Sequence, residues 1–278
     1  MTQPCRLASG GLVDRTRPLR FEYDGTAYEG CAGDTLASAL LANGVHLVGR
    51  SFKYHRPRGI FSAGPEEPNA LIQLARGART EPNVRATTLE LYEGLVAASQ
   101  NCWPSVRFDA GAINDWMSRF LPAGFYYKTF MWPPTPAWWL RYEHVIRRAA
   151  GMGRAAAAPD PDRYEHRHAH CDVLVIGGGV TGLAAARAAA SAGARTILCD
   201  ENPRWGGGVH GDDGTIDDVP AAEWIGRTAQ DLGALPDVTL LPRTTAFGYY
   251  DGNLVGAVER VADHLATPLP SSPRQRFW

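Results

Sequence analysis

Lysine is nearly missing from this chain. Of the 28 basic residues among 278, only Lys53 and Lys128 are lysines; the rest are arginines, a bias that by itself carries no function. An excess of one charge is missing too. The 28 basic residues face 29 acidic ones for a net charge of −1, so no overall basic field is available to hold nucleic acid or an anionic membrane. Cysteine is scarce and scattered at Cys5, Cys31, Cys102, Cys171 and Cys199. The number is odd and no CxxC occurs, which argues against a disulfide framework and against zinc or iron–sulfur ligand spacing. The lack of a GxSxG removes the cue for a hydrolase serine. The first ten residues lack the apolar core of a secretory signal, and the most apolar stretch, 173–194, is interrupted by Gly177, Gly178, Gly179, Gly182 and Arg187. No membrane span is therefore expected, and a reducing cytoplasm is the expected location. What is present is ordinary for a folded protein: 45% hydrophobic and 21% charged residues, with 30 glycines and 20 prolines to make turns. The length suits two domains.

Composition divides the chain at 1–100, 101–170 and 171–278. In the first region Leu19, Phe21 and Tyr23 alternate with polar residues as a half-buried strand does, Asp24-Gly25 supplies a turn, and Ala27-Tyr28-Glu29 is the return strand. Asp34 is the expected N-cap of a helix over 35–42, stopped by Asn43-Gly44, and Val45 to Val48 is the next expected strand. Hairpin, helix and strand in this order open a ubiquitin-like β-grasp fold. The run from Arg50 to Gly59 is basic, and reads as a solvated loop rather than an anion contact to a dinucleotide phosphate.

The middle region carries Trp103, Trp116, Trp132, Trp138 and Trp139, with Phe125-Tyr126-Tyr127 and Phe130-Met131. Pro133, Pro134 and Pro136 interrupt it, which suits a segment laid across its own domain or a partner subunit. Base stacking is a poorer account, because no basic groove accompanies the aromatics. The region ends in a linker over 151–170. His166, His168 and His170 alternate there, but no thiolate or carboxylate cluster joins them, and no metal site is assigned.

The chemistry lies in the third region. Cys171 to Ile176 is an apolar run suited to a buried parallel strand, and Gly177-Gly178-Gly179-Val180-Thr181-Gly182 follows at once. Gly177 would permit the tight turn, Gly179 the approach of a pyrophosphate, and Gly182 the close packing of the next helix, whose N-terminus would offer N–H donors to phosphate. A second strand, 195–199, ends in Asp200-Glu201; Asp200 suits a ribose contact by spacing, with Glu201 as the alternative. An acid here favours NAD or FAD over NADP, although Arg204 lies nearby. Trp205-Gly206-Gly207-Gly208 reads as a flexible loop beside the ligand, so Gly207 joins the candidate site. A helix over 221–232 and strands at 238–241, 244–250 and 254–258 follow, and the last residues read as the entry to another strand.

The runs Thr35 to Gly44, Ser51 to Gly59, Asn101 to Ser105 and Asp162 to His170 resemble the N-terminal part of the alpha subunits of heterotetrameric sarcosine oxidases, and the resemblance covers essentially the whole chain. It implies a β-grasp domain similar to [2Fe–2S] ferredoxins. In cluster-binding relatives, such as amine and opine dehydrogenase subunits, cysteines follow the His-Arg-Pro-Arg-Gly stretch; residues 59–68 here contain none, so no cluster is expected. The fold class expected is thus mixed α/β and α+β: a cluster-less ferredoxin-like domain, then an incomplete Rossmann-type FAD/NAD(P)-binding domain with NAD at the glycine loop. The resemblance implies an assembly with beta, gamma and delta subunits. That assembly demethylates sarcosine to glycine, passes the one-carbon unit to tetrahydrofolate and gives electrons to oxygen to form hydrogen peroxide, with FAD on the beta subunit and FMN at the alpha–beta contact. Family alpha subunits are several times longer. No catalytic residue is therefore placed on this chain, and the isolated chain is expected to be inactive. The alternatives are a subunit of a related amine or opine dehydrogenase and a truncated, non-catalytic fragment.

Overall fold

The computed structural model describes residues 3–75, 77–121, 124, 132–211, 214–266 and 271–278. The chain forms two compact units, one of residues 1–8 and 13–161, the other of 9–12 and 162–278.

The first unit is built on a mixed five-stranded sheet. β1 (Asp14–Tyr23) and β2 (Thr26–Ala32) form the expected hairpin. Asp24 and Gly25 both take positive φ, 50° and 74°, the geometry of a tight hairpin turn that matches strand twist. After α1 (Leu36–Ala42), β3 (Gly49–Arg50) and β4 (Pro57–Arg58) make a two-stranded ribbon. β5 (Leu71–Leu74), β6 (Glu81–Arg85) and β7 (Leu95–Ser99) complete the sheet in the order β2-β1-β7-β5-β6, with β7 parallel to β1. Phe21, Tyr23, Leu36, Leu40, Ile72 and Leu95 close the core between α1 and the sheet.

Three local expectations differ from the structure. The cap of α1 is Thr35, whose side chain accepts from Ser38 N while Ser38 answers to the Thr35 N–H, a reciprocal capping box. Asp34 is instead 1% exposed and forms a two-pronged ion pair with Arg6, while accepting from the Cys31 N–H. Residues 45–48 are not a strand: the chain there runs outside the sheet, and the Val48 carbonyl accepts from Tyr23 Oη at 3.0 Å. Beyond a short helix, α2 (Ile113–Trp116), Pro136 does not interrupt structure but begins it, at the first turn of the fifteen-residue α3 (Pro136–Ala150), where a missing N–H costs nothing. Phe125, Tyr126, Tyr127, Phe130 and Met131 lie outside the described residues.

The second unit opens with β8 (Tyr164–His166), inside what the composition marks as linker. A three-stranded parallel sheet follows: β9 (Val173–Ile176), helix α4 (Val180–Ser191), β10 (Thr196–Cys199), a small hairpin of β11 (Thr215–Ile216) and β12 (Val219–Pro220), helix α5 (Ala221–Gly233) and β13 (Val238–Leu241), in the order β13-β10-β9. Leu183, Ala186, Leu198, Trp224, Ile225 and Leu232 form its core. β14 (Thr244–Tyr250) and β15 (Leu254–Arg260) are an antiparallel hairpin, and β16 (Gln275–Phe277) links β15 to β8 in a second sheet. His166 stacks on Phe277 at 5.2 Å between centroids, while His168 and His170 lie beyond the strand. No group of three or more potential metal ligands occurs among the described residues.

Candidate functional site

The glycine loop sits where β9 turns into α4, and each glycine answers to a different constraint. Gly177 has φ +105°, a region closed to side chains, and donates its N–H to Cys199 O at 2.8 Å, holding the turn to β10. A Cβ on Gly182 would lie 1.8 Å from the Gly177 carbonyl oxygen, so the first turn of α4 can press against the loop only without one. Gly179 differs from both. Its φ of −68° is open to any residue, and a Cβ there would meet nothing within 4 Å. The ground above Gly179 is clear, and Gly179 is the N-cap of α4, with no side chain competing for the first-turn amides of Val180, Thr181 and Gly182.

Asp200 is brought directly to this loop. It is 9% exposed; one carboxylate oxygen accepts the Gly178 N–H at 2.6 Å and the other the Asn202 N–H at 2.7 Å. An ionised carboxylate has about four lone-pair sites, and these two bonds occupy two of them. Glu201, the alternative acid, is half-buried, and its carbonyl oxygen receives Arg260 Nη2. Arg204 is exposed and donates to the Leu12 carbonyl at 2.7 Å, within the same unit. Gly207, at φ +57°, stands beside Gly179: its Cβ would be 3.5 Å from the Gly179 Cα.

The loop at 205–208 is held rather than free. Gly206 N donates to Gly178 O at 2.8 Å, and the Trp205 ring lies where a Gly178 Cβ would be, 2.3 Å from that position. The run Trp205 to Gly208, expected as a flexible loop beside the ligand, is thus packed on the glycine turn through Trp205 and Gly206. The basic loop is likewise tied down. Arg50 donates to Val106 O through Nε and Nη2, Tyr54 Oη donates to Leu121 O, and His55 Nδ1 lies 2.6 Å from buried Asp109.

Residues 16–102 match the family of 2Fe-2S iron-sulfur cluster binding domains, and residues 172–234 match the FAD dependent oxidoreductases. The chain is 60% identical to a sarcosine oxidase subunit alpha of Rhizobium meliloti (strain 1021) over 98% of its length, and 36% identical to one of Corynebacterium sp. (strain U-96) over all of it. It is a homologue of the N-terminal part of the sarcosine oxidase alpha subunit. It spans only 28% and 25% of those two relatives. Among solved structures, L-proline dehydrogenase from P. horikoshii shares the fold at a TM-score of 0.51 and 16% identity, covering 88% of this chain and 37% of that one. No described helix is long and apolar enough to cross a membrane.

The match to a cluster-binding family can be set against the residues present. A [2Fe–2S] centre takes four thiolates, or two thiolates and two imidazoles. The first unit contains three cysteines: Cys5 is exposed, Cys31 buried and Cys102 half-buried, and no three potential ligands gather among the described residues. These residues do not fit the cluster.

Proposed function

We propose that this chain forms the dinucleotide-binding and assembly portion of a flavin-dependent sarcosine oxidase, with NAD at the glycine loop. The observation that carries the reading is Asp200. The acid at the end of the second strand is hydrogen-bonded into the turn whose central glycine has clear ground above it. In this reading Gly177, Gly178 and Gly179 shape the turn, the amides of Val180, Thr181 and Gly182 take the pyrophosphate, and Asp200 (with Glu201 beside it) takes the ribose hydroxyls. Arg204 and Gly207 flank the ligand. The regions 1–100, 101–170 and 171–278 then serve as a ferredoxin-like module, an aromatic connector that meets the beta, gamma or delta subunits, and the dinucleotide domain. Oxidation of sarcosine, transfer of its one-carbon unit to tetrahydrofolate and peroxide formation belong to the assembly, with FAD and FMN outside these residues.

Titration of the purified chain with NAD, NADP and FAD tests the reading. NAD is expected to bind more tightly than NADP, whose 2′-phosphate meets the Asp200 carboxylate. Tighter binding of FAD than of NAD reassigns the loop to the flavin, and failure of all three on a folded sample removes the site. Gly179→Leu is expected to abolish binding while leaving the circular dichroism spectrum and Tm near those of the parent, because its backbone conformation is ordinary and no atom stands in the way of the new Cβ.

A further inference from the structure

Glu67 lies in the stretch 59–70, which falls within the match to the cluster-binding family and contains no cysteine. It is 2% exposed and one of the largest fully buried side chains of the protein. A buried carboxylate needs partners, and here they are backbone amides, with the Ser62 hydroxyl 3.5 Å from Oε2. Oε2 accepts the N–H groups of Phe61 and Ser62, both at 2.7 Å, and Oε1 accepts those of Asn69 and Ala70 at 2.7 and 3.1 Å. Two consecutive amides from before the residue and two from after it converge on its own side chain, so the loop closes around a negative charge that it carries itself. The ring is pinned outside by Thr87 Oγ1, which donates to Gly64 O at 2.7 Å, and by Ala86 N, which donates to Ala70 O at 2.9 Å.

We propose that the Glu67 carboxylate is a built-in anion that organises this loop in place of an iron–sulfur cluster, making the first unit a module that carries no electrons. The chemistry of the donors supports it. Backbone N–H groups directed at one point stabilise an anion, whether a sulfide-rich cluster or a carboxylate. Burial works against ionisation of Glu67, but four donors outweigh it and hold the carboxyl below the ordinary glutamate range. A loop already closed on a carboxylate has no vacant set of amides to offer. This inference stands apart from the dinucleotide reading, since it concerns only residues of the first unit.

Two measurements test it. The first is amide hydrogen exchange on the unmodified chain as a function of pH. The amides of Phe61, Ser62, Asn69 and Ala70 are expected to stay protected below the usual titration range of glutamate. Their protection factors should then fall together as the pH drops through the lowered value, while those of amides in the β1–β2 hairpin stay high. The contribution has that sign because the folded carboxyl is depressed: it is complete above the unfolded value and lost on protonation. In Glu67→Gln the shape survives, but an NH2 replaces one acceptor and faces two N–H donors; exchange at one of the two amide pairs should rise by at least about tenfold. Four amides whose protection factors, corrected for intrinsic exchange, change neither with pH nor with this substitution overturn the proposal. The second measurement is reconstitution of the whole chain with ferrous iron and sulfide under argon. No stoichiometric iron, acid-labile sulfide or visible charge-transfer absorbance is expected; a stoichiometric cluster lost on replacing Cys31 or Cys102 by serine overturns it. If Glu67→Gln does not fold, the exchange profile of the unmodified chain and the reconstitution still decide.

Discussion

Single side chains in this protein differ sharply in the chemistry open to them, and cysteine shows it well. Cys5 is exposed, Cys31 and Cys199 are buried, and burial with the neighbouring Asp200 charge raises the Cys199 thiol to about 11. The thiolate is the reactive form, so a buried thiol held protonated is inert. Iodoacetamide at neutral pH is expected to modify Cys5 first and to reach Cys31 and Cys199 only after unfolding; mass spectrometry of timed aliquots checks the order. Early modification of Cys199 would mean that the strand end beside the glycine loop opens. The same position explains why Asp200 could be named from spacing but its geometry could not: its place follows from chain order, whereas its bond to Gly178 depends on two strands lying side by side.

At the scale of elements, the ends and connections hold the surprises. α1 is only seven residues long, below the length at which propensity alone sustains a helix, so its capping box and the burial of Leu36 and Leu40 maintain it. The basic ribbon of β3 and β4 is clamped in a similar way. Asp109 accepts the N–H groups of Trp103 and Gly111, both at 3.0 Å, and meets His55 at 2.6 Å. A side chain on Gly111 would strike the His55 ring, so this approach depends on glycine. Asp109→Ala removes three hydrogen bonds, one buried and two part-buried, and leaves two amides and an imidazole without that carboxylate. It is expected to cost about 3 kcal/mol, read as a lower denaturant midpoint with an unchanged slope. The basic character of 50–58 was plain in the sequence; that it serves internal bonding was not, because its acceptors lie some fifty residues away and include backbone carbonyls, which no sequence pattern marks.

For the molecule as a whole, two cores lie in two compact units, one around Leu36, Leu40 and Ile72 and one around Leu183, Leu198 and Leu232. Separate cores favour separate cooperativity. Calorimetry is expected to resolve two transitions, with the second unit's transition moving upward on addition of the dinucleotide that it binds and the first unit's staying in place. One transition with equal calorimetric and van't Hoff enthalpies would defeat this. In the second unit β9 is an edge strand, and Ile176 beside the glycine loop is 59% exposed. An apolar strand end of this kind belongs in the middle of a sheet.

The sequence by itself determined what contiguous residues encode. The Asp24-Gly25 hairpin, the strand–glycine–helix turn after 173 and the helix expected over 221–232, which runs one residue further, follow from conformational limits and local periodicity. Only the tertiary structure decided the rest. It turned Asp34 from a cap into the partner of Arg6, drew Tyr164–His166 out of the linker to pair with Gln275–Phe277, and closed a loop on Glu67. The reason is the same in each case. A polar group or strand edge leaving water must find a partner in space, and that partner is set by how the chain folds back on itself.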